Sequence, residues 1–90
     1  MLIFLINFFI YANSIYKMII QSIILPKSKF TEREANKWIL DHNYTNKGKR
    51  IKNYKTTNFY RFRQRPPSHF KSMRTIVKSR GIQFIVGNLK

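Results

Sequence analysis

The chain has 90 residues, with 18 Lys and Arg against three acids and a formal net charge of +15. That length supports one small domain with a limited core. The absence of Cys excludes disulfides, thiolate zinc sites and cysteine nucleophiles.

Residues 1–17 are apolar apart from Asn7, Asn13 and Ser14, and Lys17 ends the run. A membrane span needs about 20 apolar residues, so the stretch is short. A signal peptide wants a basic start, and none precedes Leu2. A marginal anchor, an uncleaved signal-like segment and an upstream extension with Met18 as alternative start all fit. Basic residues follow the run, so an inserted helix places its C-terminal side in the cytoplasm. The expected domain is residues 18–90.

Residues 18–25 read as a strand, rich in β-branched Ile and stopped by Pro26. Thr31, Glu32, Arg33 and Glu34 form a capping box in which Thr31 and Glu34 satisfy each other's backbone N–H groups. Phe30 precedes the cap and is placed to staple onto Ala35. Ala35, Trp38, Ile39 and His42 share one helical face, so a helix is expected over 32–42, with Asn43 as a left-handed terminator. Residues 44–57 form a polar, basic connection with a turn at Gly48 and a short edge strand at 51–54.

Residues 58–65 alternate in the manner of a half-buried strand. Tyr60, Phe62 and Gln64 face one way; Phe59, Arg61, Arg63 and Arg65 face the other. Pro66 and Pro67 end it. Residues 68–73 suggest one helical turn with Phe70 and Met73 inward, and 74–78 an extended or irregular stretch. Gly81 opens a last strand over 82–86, with Gly87 after it. The expected fold is α+β: one capped helix packed on a three- to four-stranded antiparallel sheet, behind the apolar N-terminal segment. Trp38, Ile39, Ile23, Leu25, Tyr60, Phe62, Phe84 and Val86 are its expected core.

The acids Glu32, Glu34 and Asp41 all fall in one short window, and none occurs from His42 to Lys90. Glu32 is expected to face away from the core, Glu34 is committed to the cap, and Asp41 lies near the helix end. No paired-carboxylate site follows from that placement. His42 and His69 are far apart in sequence, without an acid at ligand spacing, and no Gly-rich phosphate loop is present. The expectation is therefore a binding module without enzymatic activity, metal or cofactor.

The surplus positive charge suits a polyanion: nucleic acid, anionic lipid or an acidic protein. On the strand at 58–65, Arg61, Arg63 and Arg65 stand about 6.6 Å apart, as forks suited to phosphate or carboxylate. Phe59 shares their face and is suited to stacking on a base. Lys47, Lys49, Arg50, Lys52 and Lys55 form a second basic cluster able to clamp a backbone electrostatically, and Arg74 adds a further cation. A solvated strand face, with Arg stems covering an apolar sheet, fits the same pattern.

A run from Gln21 to Thr31 (QSIILPKSKFT), then Ala35, Lys37, Trp38 and His42, resembles a small family of basic proteins from large DNA viruses and phages, sometimes found inside larger phage head-region proteins. The likeness continues through Asn58 to Gln64 (NFYRFRQ), Pro67, Phe70, Lys71, Arg74, Thr75, Gly81, Ile82, Val86 and Gly87. It covers most of the chain after Met18, leaves 1–17 outside, and is most specific at the aromatic–arginine strand. It implies a viral origin and a compact α/β module, in the virion or the infected-cell cytoplasm. The family has no established activity, so no active site is carried over. Its usual acidic turn before the aromatic–arginine strand is here Lys52, Asn53, Tyr54, Lys55, Thr56 and Thr57. That departure removes an internal partner for the arginines. The alternative function is a virion structural or assembly protein that binds an acidic protein partner, with membrane contact through residues 1–17.

Overall fold

The computed structural model describes residues 19–51 and 53–90. The expectations for residues 1–17 and for Lys52 lie outside the described residues. No helix among the described residues is long and apolar enough to cross a membrane.

The fold is α+β, one helix on a four-stranded antiparallel sheet of order β2-β1-β4-β3. Strand β1 spans Ile19–Pro26, and its last six residues are buried. Its Ile-rich sequence suits a central position, where both edges are paired and both faces packed. A register shift between Ile20 and Ser22 makes Gln21 a bulge residue. Helix α1, Glu32–Asp41, starts as the capping box requires. The Glu34 amide donates to Thr31 Oγ1 at 3.1 Å, and the Thr31 amide donates to Glu34 Oε1 at 2.9 Å. It ends at Asn43, whose φ of 64° is the expected left-handed terminator. The exposed His42 ring stacks on Trp38 at 3.9 Å, and its Nδ1 lies 2.7 Å from the Trp38 carbonyl oxygen. Those contacts give His42 a structural place at the helix end.

The alternating stretch becomes β2, Phe59–Arg63, paired antiparallel with β1 so that Phe62 opposes Ile23 and Tyr60 opposes Leu25. The chain then crosses from one edge of the sheet to the other through a 3₁₀ turn at Pro67–His69. Strand β3, Phe70–Val77, forms a hairpin with β4, Gln83–Leu89, through a 3₁₀ turn at Ser79–Gly81.

Three local expectations are corrected. Residues 70–73 are strand, not a helical turn; Phe70 is buried as expected, but Met73 is 46% exposed. The last strand runs on through Gly87, because a bare Cα there lets the Ser72 carbonyl oxygen come close at the β3–β4 register shift. Among the described residues of 51–54 none is in a strand; beyond them an isolated bridge joins Lys55 to Tyr60 on the outer side of β2.

The core lies between α1 and the sheet: Ile23, Leu25, Phe30, Ala35, Ile39, Tyr54, Phe62 and Ile82, with Ile20, Trp38, Tyr44, Tyr60 and Phe84 packed around it. Expected members Trp38, Tyr60 and Phe84 are thus partly buried, and Val86 is buried. Tyr54, which stands in a polar, basic stretch of sequence, joins the core edge-on to Phe62 at 5.2 Å.

Candidate polyanion-binding surface

Alternation along β2 sorts its side chains by face. Tyr60 and Phe62 oppose core residues of β1 and so point toward α1. Phe59, Arg61 and Arg63, opposite Pro26, Ile24 and Ser22, occupy the other face of the sheet. The expected row of three arginines is reduced to two, because β2 ends at Arg63. The amides of Gln64 and Arg65 both donate to the Gln21 carbonyl, at 2.7 and 3.2 Å. That bifurcation at the β1 bulge halts the regular ladder and sets Arg65 beyond the strand. The Gln21 side chain, 1% exposed, is fully engaged there. Its Nε2 donates to the Arg65 carbonyl at 2.9 Å, and its Oε1 accepts from Arg61 at 3.4 Å. Gln21 is therefore a positioning residue for the arginine segment, and sequence reading missed it; its one signal is a polar side chain inside an apolar strand.

All three side-chain carboxylates are spent elsewhere. Glu34 closes the cap, Asp41 pairs with Lys37 at 3.1 Å, and Glu32 pairs with Lys55 at 3.0 Å. Among the described residues Arg61 meets only the neutral Gln21 amide, over a long contact. The guanidinium groups of Arg63 and Arg65 have no hydrogen-bond or ion-pair partner among the described residues. Ile24 and Ser22 are buried although they lie on the face away from α1, and the half-buried Arg61 and Arg63 stand opposite them. This is the pattern of arginine stems lying over apolar sheet while the charged heads stay at the surface.

The second basic cluster meets the first through Gly48. Residues Lys47–Arg50 form a 3₁₀ turn, and a Cβ on Gly48 would stand 2.7 Å from the Arg63 amide nitrogen. The bare backbone lets the turn lie directly on β2. Gln64 holds the preceding loop in place, accepting from the Thr45 amide at 3.0 Å and donating to the Thr45 carbonyl at 2.8 Å. Asn46 donates to Asn36 of α1 at 3.1 Å. Lys49 and Arg50 are thereby brought to the end of β2 that carries Arg63.

Beside the turn is a cleft of about 490 Å³ lined by Glu32, Lys49, Arg50, Ile51, Tyr54 and Lys55. Glu32 faces this cleft, so its expected position away from the core holds, but it is not idle. Its hydrogen bond from Lys55 holds its carboxyl below the ordinary carboxylate range, and a bond from Tyr54 acts the same way. The same pair raises Lys55. Burial pushes the Tyr54 hydroxyl up; it accepts from Asn36 at 2.9 Å and donates to Glu32 at 3.2 Å. The network pins the basic loop to α1 and leaves Lys49 and Arg50 without an ion-pair partner among the described residues.

Arg74 does not join this surface. It lies on β3 at the opposite edge of the sheet, and its register partner Val86 pairs in turn with Ile20 on the side of α1. Among the described residues no group of three His, Cys, Asp or Glu is placed to hold a metal ion. No family model, curated protein or solved structure matches the chain.

Proposed function

We propose that this chain is a non-enzymatic basic module that docks nucleic acid on the β2 side of its sheet. Arg61 and Arg63 grip phosphates, Phe59 offers a stacking ring, and Arg65, Lys49 and Arg50 widen the positive field. One observation carries the reading: every side-chain carboxylate is engaged by another group, while the β2 arginines have no anionic partner among the described residues. Such charge on a rigid sheet is relieved by an external polyanion. The resemblance to proteins of large DNA viruses and phages supports a viral setting, in the virion or the infected-cell cytoplasm.

The test is a salt titration of binding to labelled duplex DNA, single-stranded DNA and RNA, read by fluorescence anisotropy. The logarithm of the affinity should fall linearly with the logarithm of salt concentration. The double variant Arg61→Gln/Arg63→Gln should reduce the slope by roughly 1.4–1.8, at about 0.7–0.9 per phosphate contact. No binding to any of the three at low salt removes the proposal, and an unchanged slope removes these two residues from it.

A further inference from the structure

We propose that the outer edge of β3 docks an extended, acidic segment of a partner protein, which adds a strand to the four already in the sheet. Thr75 and Val77 share a sheet face with Arg63 and Arg61, but this edge lies across β1 and β4 from them, and its backbone groups do not depend on nucleic-acid binding.

The two edges of the sheet are built differently. The outer side of β2 is closed by its own chain: the Arg61 amide donates to the Tyr54 carbonyl at 2.7 Å, the Thr56 amide to the Phe59 carbonyl at 2.9 Å, and the Gly48 turn lies on Arg63. Strand β3 is eight residues long, contains no Pro, and has six exposed residues. Among the described residues no loop backbone bonds to its outer side.

Which groups point outward follows from the hairpin. The Lys78 amide donates to the Ile82 carbonyl at 2.7 Å, so Lys78 turns its backbone toward β4. Hydrogen-bonded and non-hydrogen-bonded pairs alternate along an antiparallel ladder. The register Val77 to Gln83, Thr75 to Ile85 and Met73 to Gly87 therefore turns the N–H and C=O groups of Met73, Thr75 and Val77 away from β4. These are donors and acceptors at strand spacing, as β-strand addition requires. The side chains of Met73 and Val77, 46% and 66% exposed, border the same edge. A peptide strand satisfies this ladder and covers these side chains; a nucleic-acid backbone has no matching ladder.

Charge selects the occupant. Lys71 lies on the strand, Lys78 and Arg80 follow it, and no acid occurs between His42 and Lys90. A second copy of the chain, at +15, would set like charges beside one another. A strand in which carboxylates alternate with apolar residues meets both the basic ends and Met73 and Val77.

The probe is a blocked synthetic octapeptide of alternating Glu and Val, added to the full-length ¹⁵N-labelled chain. The amides of Met73, Thr75 and Val77 should shift most and become protected from hydrogen exchange. Thr75→Pro deletes one outward N–H and should weaken binding about tenfold. Val77→Glu, at an exposed position where a fold effect is small, should weaken it through like charge. A Lys–Val octapeptide should not bind, and Arg61→Gln/Arg63→Gln should leave Glu–Val binding unchanged. No binding of the Glu–Val peptide overturns the proposal. So do shifts concentrated at Phe59, Arg61 and Arg63, or full affinity in both β3 variants. Failure of the nucleic-acid titration has no bearing on these readings.

Discussion

Gly48→Ala tests whether the basic turn is seated on β2. A Cβ at this position would lie 2.7 Å from the Arg63 amide nitrogen, 3.0 Å from its carbonyl oxygen and 3.3 Å from its Cβ, where ordinary contact begins at 3.4 Å. The nearest neighbours are strand backbone, which cannot swing aside as a side-chain tip does. The turn must lift by several tenths of an ångström or β2 must bend. Overpacking of this kind costs about 1–3 kcal/mol. An opposing effect exists, since Gly48 does not have a positive φ and Ala there restricts the unfolded chain, a gain of about 0.4–1 kcal/mol. The steric cost wins, for a net loss of about 1–2 kcal/mol. In a domain of this size each kcal/mol moves the midpoint by about 4–8 °C. Thermal unfolding followed by circular dichroism should therefore show a drop of about 4–16 °C. Because the turn carries Lys49 and Arg50, nucleic-acid affinity should fall as well, even well below the unfolding midpoint. A midpoint equal to or above that of the parent chain refutes the seating of the turn on Arg63.

Ser22→Ala should stabilise the protein. Ser22 is fully buried and its hydroxyl has no hydrogen-bond partner among the described residues, so removing it relieves up to about 1 kcal/mol, read as a higher urea midpoint with an unchanged slope; a lower midpoint would count against an unsatisfied hydroxyl. Glu34 is held below the ordinary carboxylate range by its bonds with Thr31, and Glu32 by Lys55 and Tyr54. A depressed folded pKa contributes stability that is complete above the unfolded value near 4.5 and is lost as pH falls through the folded value. Denaturation midpoints should therefore fall as pH drops below 4.5, and Thr31→Ala should flatten that dependence while costing about 1 kcal/mol at neutral pH. A Thr31→Ala chain with the parent's acid dependence would separate Glu34 from it.

The legible parts of the fold are those whose chemistry is local. The Thr31–Glu34 capping box involves groups three residues apart, so the helix start and the Asn43 terminator can be read without knowing what the helix packs on. The Ile-rich run of β1 and the alternation of β2 were legible for a similar reason: burial on two faces, or on one, imprints a period on the residues themselves. Strand β3 carries no such imprint. Most of it is exposed, so nothing in FKSMRTIV marks it as a strand, and its state comes from pairing with β4.

The site divides along the same line. Arg61, Arg63 and Phe59 share a face because side chains alternate along any strand, and that much follows from their spacing. Arg65 leaves the row because the Gln21 bulge, more than forty residues earlier, takes two amides on one carbonyl. Arg74 is cationic like the others, yet the path of the chain sets it on the far edge and the opposite face.

The residues by themselves determined a surplus of positive charge, a capped helix and an aromatic–arginine strand, since each rests on composition or on neighbours within one turn or one pleat. Tertiary structure alone decided which cations share a surface, which acid neutralises Lys55, and which sheet edge stays open. Those outcomes depend on close approach between distant segments, such as bare Gly48 against Arg63, and such contacts leave no period in the sequence.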